Sequence, residues 1–281
     1  MLTSFNYTVN DIKKNIVRRD TWGDYFVIDN FLKESVFEEL CKDFNYWKTE
    51  DDGIWSGQEN PRVWRFTEPK GMNLIIGGAG TGVSHFNKLC SLSKIWKEFI
   101  EVIHSDESHK YFLDIFSDTK SFEDAISDQD LKDNVISCKL SAQLNNYGFI
   151  IHPDAAQKLV SYLFYLDTYG WNEDSEGGTD LWEVLDNEVE YSDDESSIEY
   201  QMRDGRLWKV KKPSIRLTED ESKRVSKFKS IDFKPNRMIG FVRTNKSYHS
   251  IPPRVLPSGM TRDCFQINIW NLRSRKKCMI I

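Results

Sequence analysis

The chain has 281 residues, of which 39% are hydrophobic and 13% aromatic, so it is long and apolar enough to fold as one globular domain. Its 38 basic and 44 acidic residues give a net charge of −6, which argues against broad, sequence-independent nucleic-acid binding. No apolar run predicts a membrane span, no secretory signal is expected, and five scattered cysteines favour free thiols and a cytoplasmic location.

The first part of the chain predicts helices that support a later core. Residues 36–44 carry apolar side chains at helical spacing, and Ser35 followed by Glu38 predicts a capping box at the start of that helix. A second amphipathic helix is predicted over about residues 84–104. Residues 105–134 are polar and acidic, so we expect loops with short helical turns there.

The second half of the chain predicts β-strands. Apolar and polar residues alternate strictly over residues 136–144, which is typical of a half-buried strand. A short apolar run at 149–151 leads directly into His152. Residues 159–166 (LVSYLFYL) are apolar on both faces and predict a central strand, and alternation returns at residues 265–269.

A long segment separates two of these strands. Residues 183–199 contain eight acidic residues and no basic one, whereas residues 203–229 are rich in lysine and arginine. We interpret the acidic stretch as a solvated loop. A mobile lid, or a surface that receives a basic substrate, is the functional alternative.

Three separated residues have the side chains of a mononuclear metal site. His152 and Asp154 are two positions apart beside a predicted strand, so they project to the same side. His249, from a distant strand, can complete a face of two histidines and one carboxylate, which suits a non-haem Fe(II) oxygenase. Arg262 follows and offers a planar fork for a carboxylate. The other histidines, His85, His104 and His109, have no comparable partner set and are interpreted as structural or surface residues.

Several runs around these residues occur in a recognisable order. They are residues 25–32 (YFVIDNFL), 147–154 (YGFIIHPD), 163–166 (LFYL), 176–181 (EGGTDL) and 233–241 (FKPNRMIGF), followed by His249 and Arg262. Together they resemble the iron- and 2-oxoglutarate-dependent dioxygenases, and the prolyl-4-hydroxylase-like branch in particular. The resemblance covers roughly residues 25–45 and 140–270.

The resemblance implies a mainly β, α+β fold. Its core is expected to be a double-stranded β-helix of the jelly-roll or cupin-like type, with helices outside one sheet. One catalytic domain is expected over residues 1–281. Residues 1–134 would form a helical or mixed support region, and residues 135–281 the β-helix core, with an insert at about 183–230.

The resemblance also implies a catalytic centre. His152, Asp154 and His249 are expected to bind Fe(II), with 2-oxoglutarate and O2 as co-substrates and ascorbate as an optional reductant. Arg262 is expected to bind the far carboxylate of 2-oxoglutarate, and Arg254 or Lys158 is the alternative cation for that role.

Two tyrosines, Tyr147 and Tyr165, are candidates for hydrogen bonds to 2-oxoglutarate, because a phenol can donate to a carboxylate from an apolar wall. Packing in the core explains each of them equally well.

The predicted activity is hydroxylation of a peptide or protein side chain, coupled to oxidative decarboxylation of 2-oxoglutarate. Two alternatives remain open: an oxygenase that acts on a sugar or another small metabolite, and a non-catalytic jelly-roll protein that binds metal. Neither a membrane nor a nucleic acid is expected as a partner.

Overall fold

The computed structural model describes most of the helices and the core strands. The described residues are 4–47, 62–67, 72–73, 75–76, 79–80, 91, 93–126, 134–143, 149–154, 158–167, 177–185, 197–202, 207–211, 225–252, 261–271 and 278–280. The helices are α1 (Val9–Lys13), α2 (Glu34–Trp47), α3 (Lys94–Ile103), α4 (Asp106–Phe116) and α5 (Lys120–Ile126).

The strands, in chain order, are β1 (Val17–Arg19), β2 (Gly23–Ile28), β3 (Arg62–Thr67), β4 (Met72–Asn73), β5 (Ile75–Ile76), β6 (Ala79–Gly80), β7 (Asn134–Gln143), β8 (Phe149–His152), β9 (Lys158–Tyr165), β10 (Thr179–Val184), β11 (Ser197–Met202), β12 (Leu207–Lys211), β13 (Val225–Ile231), β14 (Met238–Val242), β15 (Tyr248–Ile251), β16 (Arg262–Asn271) and β17 (Cys278–Ile280).

The largest sheet has seven antiparallel strands in the order β1-β2-β14-β9-β16-β7-β3. β9 lies at its centre and all of its residues are buried, which confirms the predicted central strand. The two alternating strands are confirmed as β7 and β16. They pair along their whole length, from Arg262 opposite Gln143 to Asn271 opposite Asn134.

A second antiparallel sheet, with the order β13-β10-β15-β8, packs against one face of the first. Leu181 and Ile231 of this smaller sheet share a buried cluster with Leu163, Tyr165 and Phe241 of the large sheet. Side chains alternate along a strand, so residues 163 and 165 of β9 point between the two sheets.

The helices cover the opposite face of the large sheet. Tyr162 and Phe164, the alternate residues of β9, belong to a second buried cluster that includes Trp96 of α3 and both Phe112 and Phe116 of α4. The rings of Phe112 and Tyr162 have centroids 5.0 Å apart. Burying each large apolar side chain contributes about 1.5–3 kcal/mol. The layers are therefore helices, large sheet and small sheet, in that order.

The prediction of loops over residues 105–134 is wrong for the part of that range that the structure describes. Residues 106–116 and 120–126 form α4 and α5. Tyr111, Phe112, Ile115 and Phe116 recur at helical spacing and are buried. Acidic residues on the other face of α4 made the helical spacing of these apolar residues hard to recognise in the sequence. Tertiary packing of the apolar face stabilises a helix whose overall composition is polar.

The capping box predicted at Ser35 is also wrong, because α2 begins one residue earlier, at Glu34. The backbone N–H groups of Val36 and Phe37 donate instead to the carbonyl of Lys33. The second predicted helix is confirmed over its later part, as α3. Residues 84–90 lie outside the described residues.

The segment predicted as an insert contributes to a third sheet. β11 and β12 form an antiparallel pair that is extended on one side by β4 and on the other by β17. Residues 186–196, most of the acidic stretch, lie outside the described residues. The division of the domain at residue 134 stays a prediction, and β1, β2 and β3 from the N-terminal region belong to the large sheet.

Two expectations from composition bear on the surroundings of the protein. The cysteines that the structure describes with their side chains, Cys41, Cys138 and Cys264, are buried free thiols. None of the described helices has the length and apolar character that crossing a membrane requires.

Candidate metal and co-substrate site

The three predicted metal ligands converge between the two sheets. β8 pairs with β15, which places His249 directly opposite His152, and their ring centroids are 4.4 Å apart. Asp154 lies two residues beyond His152. One ligand atom from each of the three side chains lies within 4.8 Å of the others. Antiparallel pairing thus brings together residues that are almost 100 positions apart in sequence.

His249 is prepared to act as a neutral nitrogen ligand. Its ring is buried, and its Nδ1 donates to the carbonyl oxygen of Ser247 at 3.1 Å, since a carbonyl can only accept. Burial lowers the pKa of His249, although the charge of Asp154 opposes the shift. The backbone contact leaves Nε2 with its lone pair available, which is the usual arrangement of a metal-binding histidine.

Asp154 is buried but remains a carboxylate. Burial alone would raise the pKa of Asp154, but the Lys158 ammonium and the imidazoles of His249 and His152 outweigh that effect and hold the pKa well below its usual range. Lys158 donates to Oδ1 at 2.5 Å, and the Ser161 hydroxyl donates to Oδ2 at 2.5 Å. The backbone carbonyl of Asp154 also accepts a hydrogen bond from Arg243, at 3.1 Å.

Arg262 begins β16 and is only 4% exposed. Its guanidinium donates to the carbonyl of Gly177, to Gln143 Oε1 at 2.7 Å and to Thr179 Oγ1 at 3.4 Å. It also lies 4.9 Å from the centre of the Tyr165 ring. Among the described residues no carboxylate forms an ion pair with this guanidinium. A buried cation without a counter-charge is costly, so the position favours an anionic ligand.

β10 shows how Arg262 relates to the metal ligands. Leu181 of this strand is paired with His249, and Thr179, two residues earlier on the same face, contacts Arg262. Two residues of a strand span about 7 Å. Thr179, which contacts Arg262, therefore lies on the same side of β10 as Leu181, the cross-strand neighbour of His249.

Comparisons of structure agree with this architecture. The non-haem α-ketoglutarate-dependent carbocyclase SnoK from nogalamycin biosynthesis superposes with a TM-score of 0.53 at 11% identity, covering 94% of this chain and 86% of SnoK. A Pseudomonas putida prolyl-4-hydroxylase has a TM-score of 0.47 at 11% identity, covering 94% of this chain and 99% of the hydroxylase. No family model and no curated protein matches the sequence significantly.

This chain has a jelly-roll fold that is similar to the fold of SnoK. The fold class predicted from the sequence, a mainly β double-stranded β-helix with flanking helices, is confirmed. The seven-stranded sheet and the sheet with the order β13-β10-β15-β8 are the two walls of the jelly roll, and the candidate site lies between them.

The Gly177-Gly178 pair has a structural reason in this fold. Gly177 has a φ of 131°, a conformation that side chains disfavour, and it turns its carbonyl toward Arg262. A Cβ on Gly178 would lie 1.8 Å from the carbonyl oxygen of Ile231 in β13. The two glycines therefore allow β10 to enter the small sheet while its preceding carbonyl contacts Arg262.

The tyrosine predictions have different outcomes. Tyr165 is fully buried, its hydroxyl is 2.6 Å from Thr179 Oγ1, and its ring lies beside the Arg262 guanidinium. Burial raises the pKa of Tyr165, so its phenol stays protonated at neutral pH. Tyr147 lies outside the described residues, as does Arg254.

Several side chains of the site were not predicted from the sequence. Gln143 and Thr179 contact Arg262, and Ser161 contacts Asp154. Lys158 was an alternative anchor for the co-substrate, but in the structure it pairs with Asp154. Thr179 follows the two glycines directly, which is the one local signal that marks it. The contacts of Gln143, Ser161 and Lys158 can be recognised only from the pairing of the strands in the structure.

Proposed function

We propose that this protein is an Fe(II)- and 2-oxoglutarate-dependent oxygenase that hydroxylates its substrate. The observation that carries the proposal is the convergence of His152, Asp154 and His249 beside β10, the strand whose Thr179 contacts the buried guanidinium of Arg262. The His152, Asp154 and His249 group can bind the metal ion, and Arg262 can bind the co-substrate. An oxygenase that depends on Fe(II) and 2-oxoglutarate requires both contacts.

The donor set fits Fe(II). Two imidazoles and one carboxylate are the ligands of non-haem Fe(II) oxygenases, and they leave coordination positions for a co-substrate. The bond of His249 Nδ1 to Ser247 fixes the ring with Nε2 free. When bound, the iron would supply the chemistry of O2 activation, while the protein positions the reactants and excludes water.

The surroundings of Arg262 fit the far carboxylate of 2-oxoglutarate. The guanidinium can offer a bidentate contact, and the hydroxyls of Thr179 and Tyr165 lie beside it as further donors. The apolar side chains of Phe233 and Leu181 limit water in the same space. An exchange of the Gln143 or Thr179 contact for the incoming carboxylate would complete the ion pair that Arg262 lacks among the described residues.

For the substrate we propose a peptide or protein side chain. The support is the resemblance of the sequence to the prolyl-4-hydroxylase-like branch, which is an argument from analogy. We also propose a cytoplasmic location, on the grounds of the free thiols.

The proposal is tested by following succinate release in air with Fe(II) and 2-oxoglutarate. Prolyl peptides, amino acids, nucleosides and sugars would be added in turn, and stimulated release would identify the substrate class. We expect a low uncoupled rate that depends on Fe(II) and rises with a peptide. Stimulation by a sugar or another small metabolite would reject the peptide proposal but keep the oxygenase. Absence of succinate under all conditions would favour a metal-binding protein without catalysis.

A further inference from the structure

We propose that Lys158 is a built-in cation that competes with the metal ion for Asp154 and thereby sets the metal affinity of the site. The proposal rests on the metal site described under Proposed function. It adds a residue of this chain that neither the ligand pattern nor the fold comparison assigns.

Lys158 and Asp154 form a buried ion pair beside the two histidines. The lysine begins β9, four residues after the aspartate, and the two residues are 9% and 6% exposed. The ammonium lies 2.5 Å from Oδ1, and Ser161 Oγ lies 2.5 Å from Oδ2. Both oxygens of the carboxylate therefore already have a donor. A metal ion that binds this carboxylate must displace one of these donors or share an oxygen with it.

The two donors differ in how strongly they oppose the binding of a metal ion to Asp154. Ser161 is neutral, and its hydroxyl can rotate away or keep a hydrogen bond to a metal-bound carboxylate. Lys158 carries a full positive charge, and two cations on one carboxylate repel each other. For a divalent ion a few ångströms from an ammonium, this repulsion changes an equilibrium by about tenfold or more, even with the dielectric constant of water.

The pair also explains how the fold tolerates a buried carboxylate at this position. A buried carboxylate without a counter-cation is strongly unfavourable, and Lys158 supplies that counter-cation. Trp270 gives the ammonium a second contact, because its residue lies opposite Lys158 in β16 and its ring centre is 5.5 Å from Nζ. The Lys158 ammonium can therefore keep its cation–π contact with Trp270 when a metal ion binds the Asp154 carboxylate.

The test compares the affinity of wild type and variants for Co(II), an air-stable probe ion, by calorimetry without 2-oxoglutarate. Lys158→Gln removes the charge but keeps a hydrogen-bond donor, Lys158→Met removes both, and Lys158→Arg keeps the charge. We expect Lys158→Gln and Lys158→Met to bind Co(II) at least about tenfold more tightly than wild type, and Lys158→Arg to resemble wild type. A larger rise in Tm on adding Co(II) should accompany the tighter binding.

Lys227→Gln is the matched control, because Lys227 pairs with another aspartate, Asp180, at 3.3 Å. It changes the net charge equally and should leave Co(II) affinity unchanged.

If Lys158→Gln binds Co(II) with wild-type or weaker affinity, the proposed competition is wrong, and Lys158 only positions the carboxylate. Should neither wild type nor Lys158→Gln bind Co(II), the metal site fails, and the proposed function fails with it. Should Lys158→Met not fold, Lys158→Gln decides alone.

Discussion

At the scale of single residues, Arg262 is the side chain whose surroundings most need a ligand. It is buried against Tyr165 and donates only to neutral oxygens of Gly177, Gln143 and Thr179 among the described residues. The position of those three acceptors around one planar group explains why an arginine, with its five donors in a fixed geometry, stands here.

Substituting Arg262→Lys should therefore weaken 2-oxoglutarate binding while leaving metal binding nearly unchanged. A lysine ammonium keeps the charge but loses the bidentate contact, so we expect a loss of about 1.5–3 kcal/mol. The measurement is the apparent affinity for 2-oxoglutarate at saturating Fe(II). Arg237→Lys is the control, because the Arg237 side chain binds Asp29 instead. Equal affinities in wild type and Arg262→Lys would move the co-substrate anchor to another cation.

The candidate metal ligands and Arg262 could be selected from the sequence because their signals are local or simple. His152 and Asp154 stand two positions apart beside a strand, and His249 and Arg262 follow in a familiar order. Gln143 and Ser161 were not predictable, because polar residues of these types are common in strands, and only the two preceding glycines mark Thr179. Their roles arise from cross-strand pairing, as in the case of Gln143, which faces Arg262 through the register of β7 with β16.

At the scale of secondary-structure elements, the helical layer shows how acidic composition can hide a packed helix. α4 contributes Tyr111, Phe112, Ile115 and Phe116 to the core, yet its sequence begins Asp-Glu-Ser-His-Lys. Its start is marked by Ser105, which was not recognised, while the capping box predicted at Ser35 lies inside α2. The N-cap is the residue that stays extended directly before the helix, and the sequence alone does not determine which residue that is.

Removing the cap of α4 should destabilise the protein. The Ser105 hydroxyl accepts from the Ser108 backbone N–H at 3.2 Å, and Ser105→Ala should cost about 1 kcal/mol. Ser35→Ala is the matched control: alanine favours the helix there, so stability should be unchanged or slightly higher. Urea unfolding of the two variants gives the answer. A larger loss for Ser35→Ala than for Ser105→Ala would contradict the observed helix boundaries.

The junction of α3 and α4 should make stability dependent on pH. Burial lowers the pKa of His104 from 6.5 to about 4, with a smaller contribution from His109. The unfolded chain therefore binds more protons between these pH values, so the free energy of unfolding falls as pH falls through them. From pH 7 to pH 5 the expected loss from His104 is on the order of 2 kcal/mol.

The measurement is urea unfolding of wild type and His104→Gln at both pH values. The variant should lose less stability on acidification than wild type, because it lacks the titrating group. Equal losses in the two proteins would show that the imidazole of His104 is not held in its neutral form.

At the scale of the whole molecule, the packing of two sheets brings together motifs that are far apart in the sequence. The alternation of β9 sends Tyr162 and Phe164 to the helices and Leu163 and Tyr165 to the space between the sheets. Strand patterns and motif order were sufficient to predict this architecture. The third sheet was not predicted, because β4, β11, β12 and β17 are brought together from three distant parts of the chain.

The central claim is that His152, Asp154 and His249 bind iron in the space that Arg262 shares. Anaerobic addition of Fe(II) and 2-oxoglutarate tests it through the weak visible charge-transfer band of a keto acid on Fe(II). Wild type and Lys158→Met should both develop the band. The double variant Asp154→Ala with Lys158→Met should stay folded by circular dichroism and show none, since it loses the carboxylate without stranding a buried lysine. A band of undiminished strength in the folded double variant, or none in wild type, would contradict the account.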